Sequence, residues 1–461
     1  MQLSSPTGNV DGMSTEGSPY YKRNFALGVI NGSLINVGMA FLDPFTVLPV
    51  FIMKLGGSAA LVGLVSALPG LGWFLPQVVT SRFAETRRYL MNMFRLSTIP
   101  RILGFTATAA VVIHGDISRP AVLMTVFVIA LLFAYVSAGV AAVPLLEVVS
   151  KTIPANRRGA FFGTRRFIGG LLGIVVGMVV GVVLDQRSER VWMGGRLFEL
   201  VETGVRRLGL TGHAFPSDFG VIFLLGAVCM AVGTVVFCFA GEPPAASVEK
   251  SSSLIDHLRH GGSLLRRNVN YRRFFLARVC WQFTAMAFPF YATYAYQKLN
   301  LSTSTVGLFL SVWVGSGIFS NYIWGEMMDR KGNKIVLTLT SILGALPPLA
   351  ILIIDGWMVD GAGGAFPLLV VAGTFAINGF IRSGRLISNV TYLLEFAPES
   401  KRPLYVGFMN SLSAPFMLTP VVGGLIIQIF GLRTLFAVAM AFGLLNVFLS
   451  TRLEEPRDAD S

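Results

Sequence analysis

The chain has 461 residues, 53% of them hydrophobic and 13% charged, with a net charge of +13 and a mean hydropathy of +0.66. Soluble domains carry roughly 25% charged residues, so a soluble globular protein is excluded. Apolar runs of about 20 residues recur throughout, each long enough to cross the hydrocarbon core of a bilayer. Backbone polar groups in lipid have to be satisfied within the segment, so the runs are expected to be helices.

In chain order, residues 1–20 are rich in Ser, Gly and Thr and lack an apolar stretch. They read as a disordered cytoplasmic tail, not a secretory signal. Six spans follow, near 24–53, 60–81, 91–114, 120–146, 161–184 and 217–240, and make a first unit over 21–241. The first span carries Asn31, Ser33, Asn36 and Asp43, and Pro44 follows Asp43 and is expected to kink the helix. Asp43 is the one acidic residue set well inside a span. It is either a coupling or substrate-contacting carboxylate, as intramembrane acids usually are, or a cap for a broken helix. The fourth span offers only Tyr135 and Ser137. On the fifth, Gly169, Gly173, Gly177 and Gly181 form a ladder for close helix contact, as packing or as a sliding surface.

The loop 185–216 places Leu197, Leu200, Val201, Val205 and Leu208 at helical spacing among charged residues, which predicts a surface helix or a lid. The linker 242–270 opens on Pro243-Pro244 and turns basic. Leu254, Ile255, Leu258, Leu264 and Leu265 make it either a membrane-surface helix or a polar tether.

The second unit covers 271–452, with spans near 274–298, 304–328, 335–354, 365–393, 404–430 and 432–451, before a tail at 453–461. The seventh span holds Gln282, Thr284, Tyr291, Tyr294, Tyr296 and Gln297. Its tyrosines suit either ring stacking or an interfacial belt. The tenth holds Asn378, Arg382, Arg385, Ser388 and Asn389. Arg382 and Arg385 share a face. Either they hold an anion or, for Arg385 above all, they join a charge network at the cytoplasmic end. Asp43 and Arg382 fall on opposite sides of the centre, which argues against a direct pair.

The halves repeat. Gly325-Glu326-Met327-Met328-Asp329-Arg330-Lys331-Gly332-Asn333-Lys334 sits between two apolar runs, and about 244 residues earlier Ser81-Arg82-Phe83-Ala84-Glu85-Thr86-Arg87-Arg88 holds the matching place. Tyr21-Lys22-Arg23-Asn24-Phe25 pairs with Tyr271-Arg272-Arg273-Phe274-Phe275, and Leu145-Leu146-Glu147 with Leu393-Leu394-Glu395. Parallel repeats of this kind belong to two-bundle membrane carriers. Gly325, Asp329, Arg330, Gly332 and Lys334 resemble the Gly-x-x-x-Asp-Arg-x-Gly signature that the major facilitator superfamily places between the second and third helices of each half. In the first copy Ser81, Glu85 and Thr86 replace the glycine, aspartate and arginine, and Arg87 and Arg88 follow. Glu395 and Arg402 resemble the Glu–Arg spacing at the end of the tenth helix in sugar-porter members. Signatures that mark the sugar-porter and drug-exporter groups are missing, so no subfamily is implied.

The resemblance implies an all-α integral membrane protein with twelve transmembrane helices in two pseudo-symmetric six-helix bundles. It implies a secondary active transporter that moves a small molecule across the cytoplasmic membrane by alternating access, driven by a proton or ion gradient. A non-transporting sensor or receptor on the same fold is the alternative. The family lines its cavity mainly with helices 1, 4, 7 and 10, which singles out Asp43, Asn31, Asn36, Gln282, Tyr291, Asn378, Arg382 and Arg385 as substrate or coupling residues. So few charges suggest a mostly apolar cavity and an amphipathic or moderately hydrophobic substrate. Gating is expected from Gly325, Asp329, Arg330, Gly332, Lys334, Glu85, Arg87, Arg88, Glu147, Glu395 and Arg402. The alternative is that these residues only anchor helix ends.

The basic residues concentrate on the side of both termini, which places the termini in the cytoplasm and puts basic side chains against lipid head groups. With no basic stripe on a soluble face, no nucleic-acid partner is expected. Cys229, Cys238 and Cys280 lie in apolar spans and read as small buried hydrophobes. No P-loop, metal-ligand spacing or mid-span histidine is present, so neither an enzyme nor a cofactor is expected. A monomer is expected.

Overall fold

The computed structural model describes residues 20–85, 87–185, 195–244, 265–266, 268–357, 365–398 and 402–459. The expected tail over 1–19 and the linker positions from Leu254 to Leu264 lie outside the described residues. Among the described residues all regular structure is helical.

The first crossing is made of α1 (Tyr21–Phe41) and α2 (Val47–Lys54), followed by α3 (Ala59–Glu85), α4 (Met91–His114), α5 (Pro120–Thr152) and α6 (Ala155–Val183). After the short α7 (Arg196–Arg207), α8 (Ser217–Phe237) completes the first bundle. The seventh crossing pairs α9 (Val269–Ala285) with α10 (Phe288–Gln297); α11 (Thr305–Lys331), α12 (Asn333–Trp357) and α13 (Ala365–Phe396) follow. The eleventh combines α14 (Arg402–Ser413), a 3-10 turn at Ala414–Leu418 and α15 (Thr419–Phe430), and α16 (Leu432–Thr451) is the twelfth. Eleven of these crossings are long and apolar enough to span a bilayer unaided. The seventh falls short because it is broken in two and carries Arg278, Gln282 and several tyrosines.

Both breaks have a local cause. At the first, Pro44 lacks an N–H, and the Asp43 carboxylate takes the freed donors: Oδ1 accepts from Phe45 N (2.9 Å), Thr46 N (2.8 Å) and Thr46 Oγ1 (2.9 Å). At the seventh, Pro289 occupies the first turn of α10, where its missing donor costs nothing. The repeat seen in sequence is therefore also a repeat of broken helices.

The bundles meet only over part of their length. On the side away from the termini they share one hydrophobic core, with Phe51 and Phe127 from the first and Tyr291 and Phe309 from the second. Toward the terminus-bearing side each bundle has its own: Met91, Phe94, Phe161 and Phe237 in the first, Tyr271, Phe274, Tyr392 and Tyr405 in the second. Two helix pairs related by the repeat close the far side, α3 on α15 and α6 on α11. Glycine permits both: a Cβ on Gly63 would meet the Pro420 carbonyl, and one on Gly177 would meet Ser311 and Gly307. The helix expected in the loop 185–216 is α7, which packs on α6 and buries Val205 while Leu197 and Leu200 stay exposed.

Candidate functional site

Where the shared core ends, aromatic side chains bridge the bundles. The Phe45 ring, just past the break in the first crossing, lies 5.9 Å from that of Phe288 and 5.5 Å from that of Trp313. Arg382 comes up on the other face of this seal, its guanidinium 5.6 Å from the Trp313 ring, yet it keeps solvent-accessible surface deep in the protein. That combination marks a cavity wall.

Asp43 sits behind the seal, buried, as the cap described above. It forms no ion pair with Arg382, as its place in the sequence suggested, but the two are within electrostatic range. Capping, one of its two expected roles, is thus the role its geometry displays.

The tenth span presents Asn378, Arg382, Arg385 and Asn389 along one face of α13, at helical spacing. Arg385 is buried, donates from Nη2 to Ser341 Oγ (2.6 Å) and lies 4.4 Å over the Trp281 ring; its Nε has no partner. Asn378 is buried with neither end of its amide bonded, and it faces the equally unbonded hydroxyl of Tyr291. Tyr291 stacks on Phe436 at 5.4 Å, so it lies in the core and not in an interfacial belt. Gln282 is half-buried, and its carbonyl accepts from Thr419 Oγ1 (2.9 Å).

Two candidates on the first span hold an arginine. Asn31 donates to the Gly233 carbonyl (2.8 Å) and accepts from Arg165 Nη2 (3.2 Å), and Asn36 donates to the Arg165 carbonyl (3.4 Å). Arg165 lies 5.1 Å over Phe161 and 5.6 Å over Phe162, in space left by the missing side chain of Gly32. Arg166 follows it, exposed, within electrostatic range of Arg382. On α9, Arg278 donates to Asn410 Oδ1 (3.1 Å) and is within range of Arg385.

Sequence reasoning missed these three. Arg165 and Arg166 fall inside the fifth span as drawn, near its basic end, and Arg278 falls inside the seventh. The interior is more charged than the expected mostly apolar cavity: Arg165 and Arg166 on α6, Arg278 on α9 and Arg382 and Arg385 on α13 all lie within membrane-crossing helices. The signal was available, since a charge inside an apolar run is costly unless it faces water, protein or ligand.

On the terminus-bearing side, the ion pairs formed among the described residues stay within one bundle. Glu395 accepts from Arg457 (2.8 Å) and from Asn333 (2.8 Å), and Arg330 pairs with Glu326 (2.7 Å). Arg402 donates to the Leu394 carbonyl (3.0 Å); Glu147, Asp329, Arg87 and Arg88 are exposed. The side chain of Glu85 lies outside the described residues. Gly332, at φ 81°, ends α11 and leaves room for the Glu455 carboxylate, which accepts from Lys334 N (3.0 Å). Its counterpart in the first bundle is Glu242, which accepts from Leu90 N (2.8 Å), Met91 N (2.7 Å) and Lys151 Nζ (2.8 Å). Neither glutamate nor Arg457 stood out in the sequence. No atom lies within 4 Å of where a Cβ on Gly325 would sit, so this glycine makes no close helix contact in this state.

The family model described as Major Facilitator Superfamily matches residues 274–461. Over nearly the whole chain the fold is that of the D-xylose-proton symporter, with a TM-score of 0.67 at 14% identity, covering 95% of this chain and 99% of that one. That family match covers the second bundle, less than half of the chain. Similarity also extends to a putative proline/betaine transporter of Staphylococcus haemolyticus, 27% identical over 29% of this chain and 30% of the relative. An ectoine/proline transporter, ProP, of Corynebacterium glutamicum is also 27% identical, over 38% of this chain and 33% of the relative. The match thus spans about a third of the length of these curated relatives.

Proposed function

We propose that the protein is a secondary transporter that moves a small molecule across the cytoplasmic membrane by alternating access, coupled to a proton or ion gradient. One observation carries this reading: the bundles are sealed on one side and parted on the other, with charged side chains at the join. A major facilitator protein alternates by rocking two such bundles about a central site. The basic residues near the termini favour a cytoplasmic placing of that side, which makes this the inward-open state. Asp43 is the proposed coupling carboxylate, and the protein acts as a monomer in lipid.

Arg382 presents a fork that matches a carboxylate, and Trp313 and Phe45 present aromatic faces beside it. Proline, betaine and ectoine, named for the relatives, all carry an anionic group, so a small solute bearing an anionic group is the substrate class proposed. Counterflow in proteoliposomes tests it: protein-dependent exchange of a labelled solute is expected. Binding without exchange for every solute that binds would reject transport in favour of a sensor.

A further inference from the structure

The charge of that solute is addressed by the arginines of the cavity. Guanidinium groups stay protonated at any physiological pH. Among the described residues none of Arg165, Arg166, Arg278, Arg382 and Arg385 forms an ion pair. The one carboxylate in range is that of Asp43, and the Oδ1 that carries its bonds already accepts three from Phe45 and Thr46. Like charges instead lie within electrostatic range of one another: Arg166 on α6 with Arg382 on α13, and Arg278 with Arg385 within the second bundle. Beside them, Arg385 Nε is buried without a bond. Repulsion among positive charges and unbonded buried donors are both costly where water is scarce. An anion among the arginines relieves the repulsion.

Resting on the transport reading above, we propose that the central cavity takes a small anion carrying two or more negative charges, a phosphate ester or a di- or tricarboxylate, held between Arg166 of one bundle and Arg382 of the other. Each guanidinium offers a planar pair of donors that fits a carboxylate or phosphoryl group. A zwitterion satisfies one arginine but brings its own cation among the rest. Charge also couples binding to motion. Closing the terminus-bearing side brings Arg166 toward Arg382, which repulsion opposes in the empty carrier and an anion between them permits. The carrier therefore exchanges anions faster than it returns empty.

Binding to the purified full-length protein, measured by calorimetry in low salt, tests the site with inorganic phosphate, succinate and citrate, and with glycine betaine for comparison. At least one of the three anions is expected to bind, with glycine betaine weaker. Arg382→Gln and Arg166→Gln are each expected to weaken the anion by about tenfold or more, as for loss of a charge-assisted bond. Arg382→Lys and Arg166→Lys, which keep the charge, should recover part of the affinity and show that the loss is not misfolding. The proposal is overturned if glycine betaine binds as tightly as every anion, or if both glutamine variants bind the anion like the parent. Transport is read separately. An anion that binds but is not exchanged in proteoliposomes refutes the transport reading and leaves the anion site standing, whereas exchange of glycine betaine without anion binding does the reverse.

Discussion

Asp43 combines a structural task with a proposed chemical one, and two substitutions separate them. Asparagine caps a helix about as well as aspartate but carries no charge, whereas alanine does neither. Asp43→Asn is therefore expected to keep the thermal stability and counterflow of the parent and to lose uphill accumulation. Asp43→Ala should in addition lose about 1–2 kcal/mol of stability, since Phe45 N and Thr46 N are left without an acceptor. Uphill accumulation by Asp43→Asn at the parental rate would leave the carboxylate as a cap alone. At this scale, Asp43 and Arg382 were legible in the sequence because a charge in the middle of an apolar run is costly and has to be partnered, whether as a cap or in a site. Arg165 and Arg166 were not, because they stand near the end of a span, where basic residues are ordinary. Only the packing of α6 against α1 turns them toward the cavity.

Helix positions were legible as elements because a span has to be apolar for its whole length, and the structure places a crossing at each of the twelve. The break at Met286-Ala287 was not, since Pro289 sits within an unbroken apolar run and hydropathy does not record helix continuity. Contacts between elements distant in sequence were equally invisible. Glu242 lies about 150 residues after the helix start it caps and reads as part of a linker. Its carboxylate is nearly inaccessible, at 2% of its side-chain surface, and holds two backbone donors and Lys151. Burial makes this pairing worth more than a surface ion pair. Glu242→Ala is expected to lower the melting temperature of the purified protein, by about 2–4 kcal/mol in stability, from loss of the cap and an unpaired Lys151. Lys151→Met, which leaves the cap in place, should cost less, and equal losses would show that the ion pair alone matters.

For the whole molecule, one register links the closed and open ends. Along α6 and α11, Gly177 lies against Ser311, Gly173 against Val314 and Gly170 against Ile318. Continued toward the termini, the same antiparallel step sets Gly163 opposite Gly325, the first glycine of the repeated motif. Both positions are open in this state, with nothing within 4 Å of a Cβ on either. Under the proposed alternating access, rocking the bundles the other way closes that gap and brings Gly325 into close helix contact. Two glycines would meet there, as Gly177 and Gly307 meet at the far side now. Gly325→Leu is therefore expected to leave the stability of the parted state within about 1 kcal/mol, since nothing is displaced, and to slow exchange by obstructing closure. A disulfide needs Cα atoms within about 7 Å. Cysteines introduced together by Gly163→Cys and Gly325→Cys should stay unlinked under mild oxidation in the empty protein. They should link when a transported solute is added, and the linked form should not exchange. Rapid linking without solute, at the rate of a Gly173→Cys and Val314→Cys pair on the sealed side, would mean that the bundles are not parted at rest.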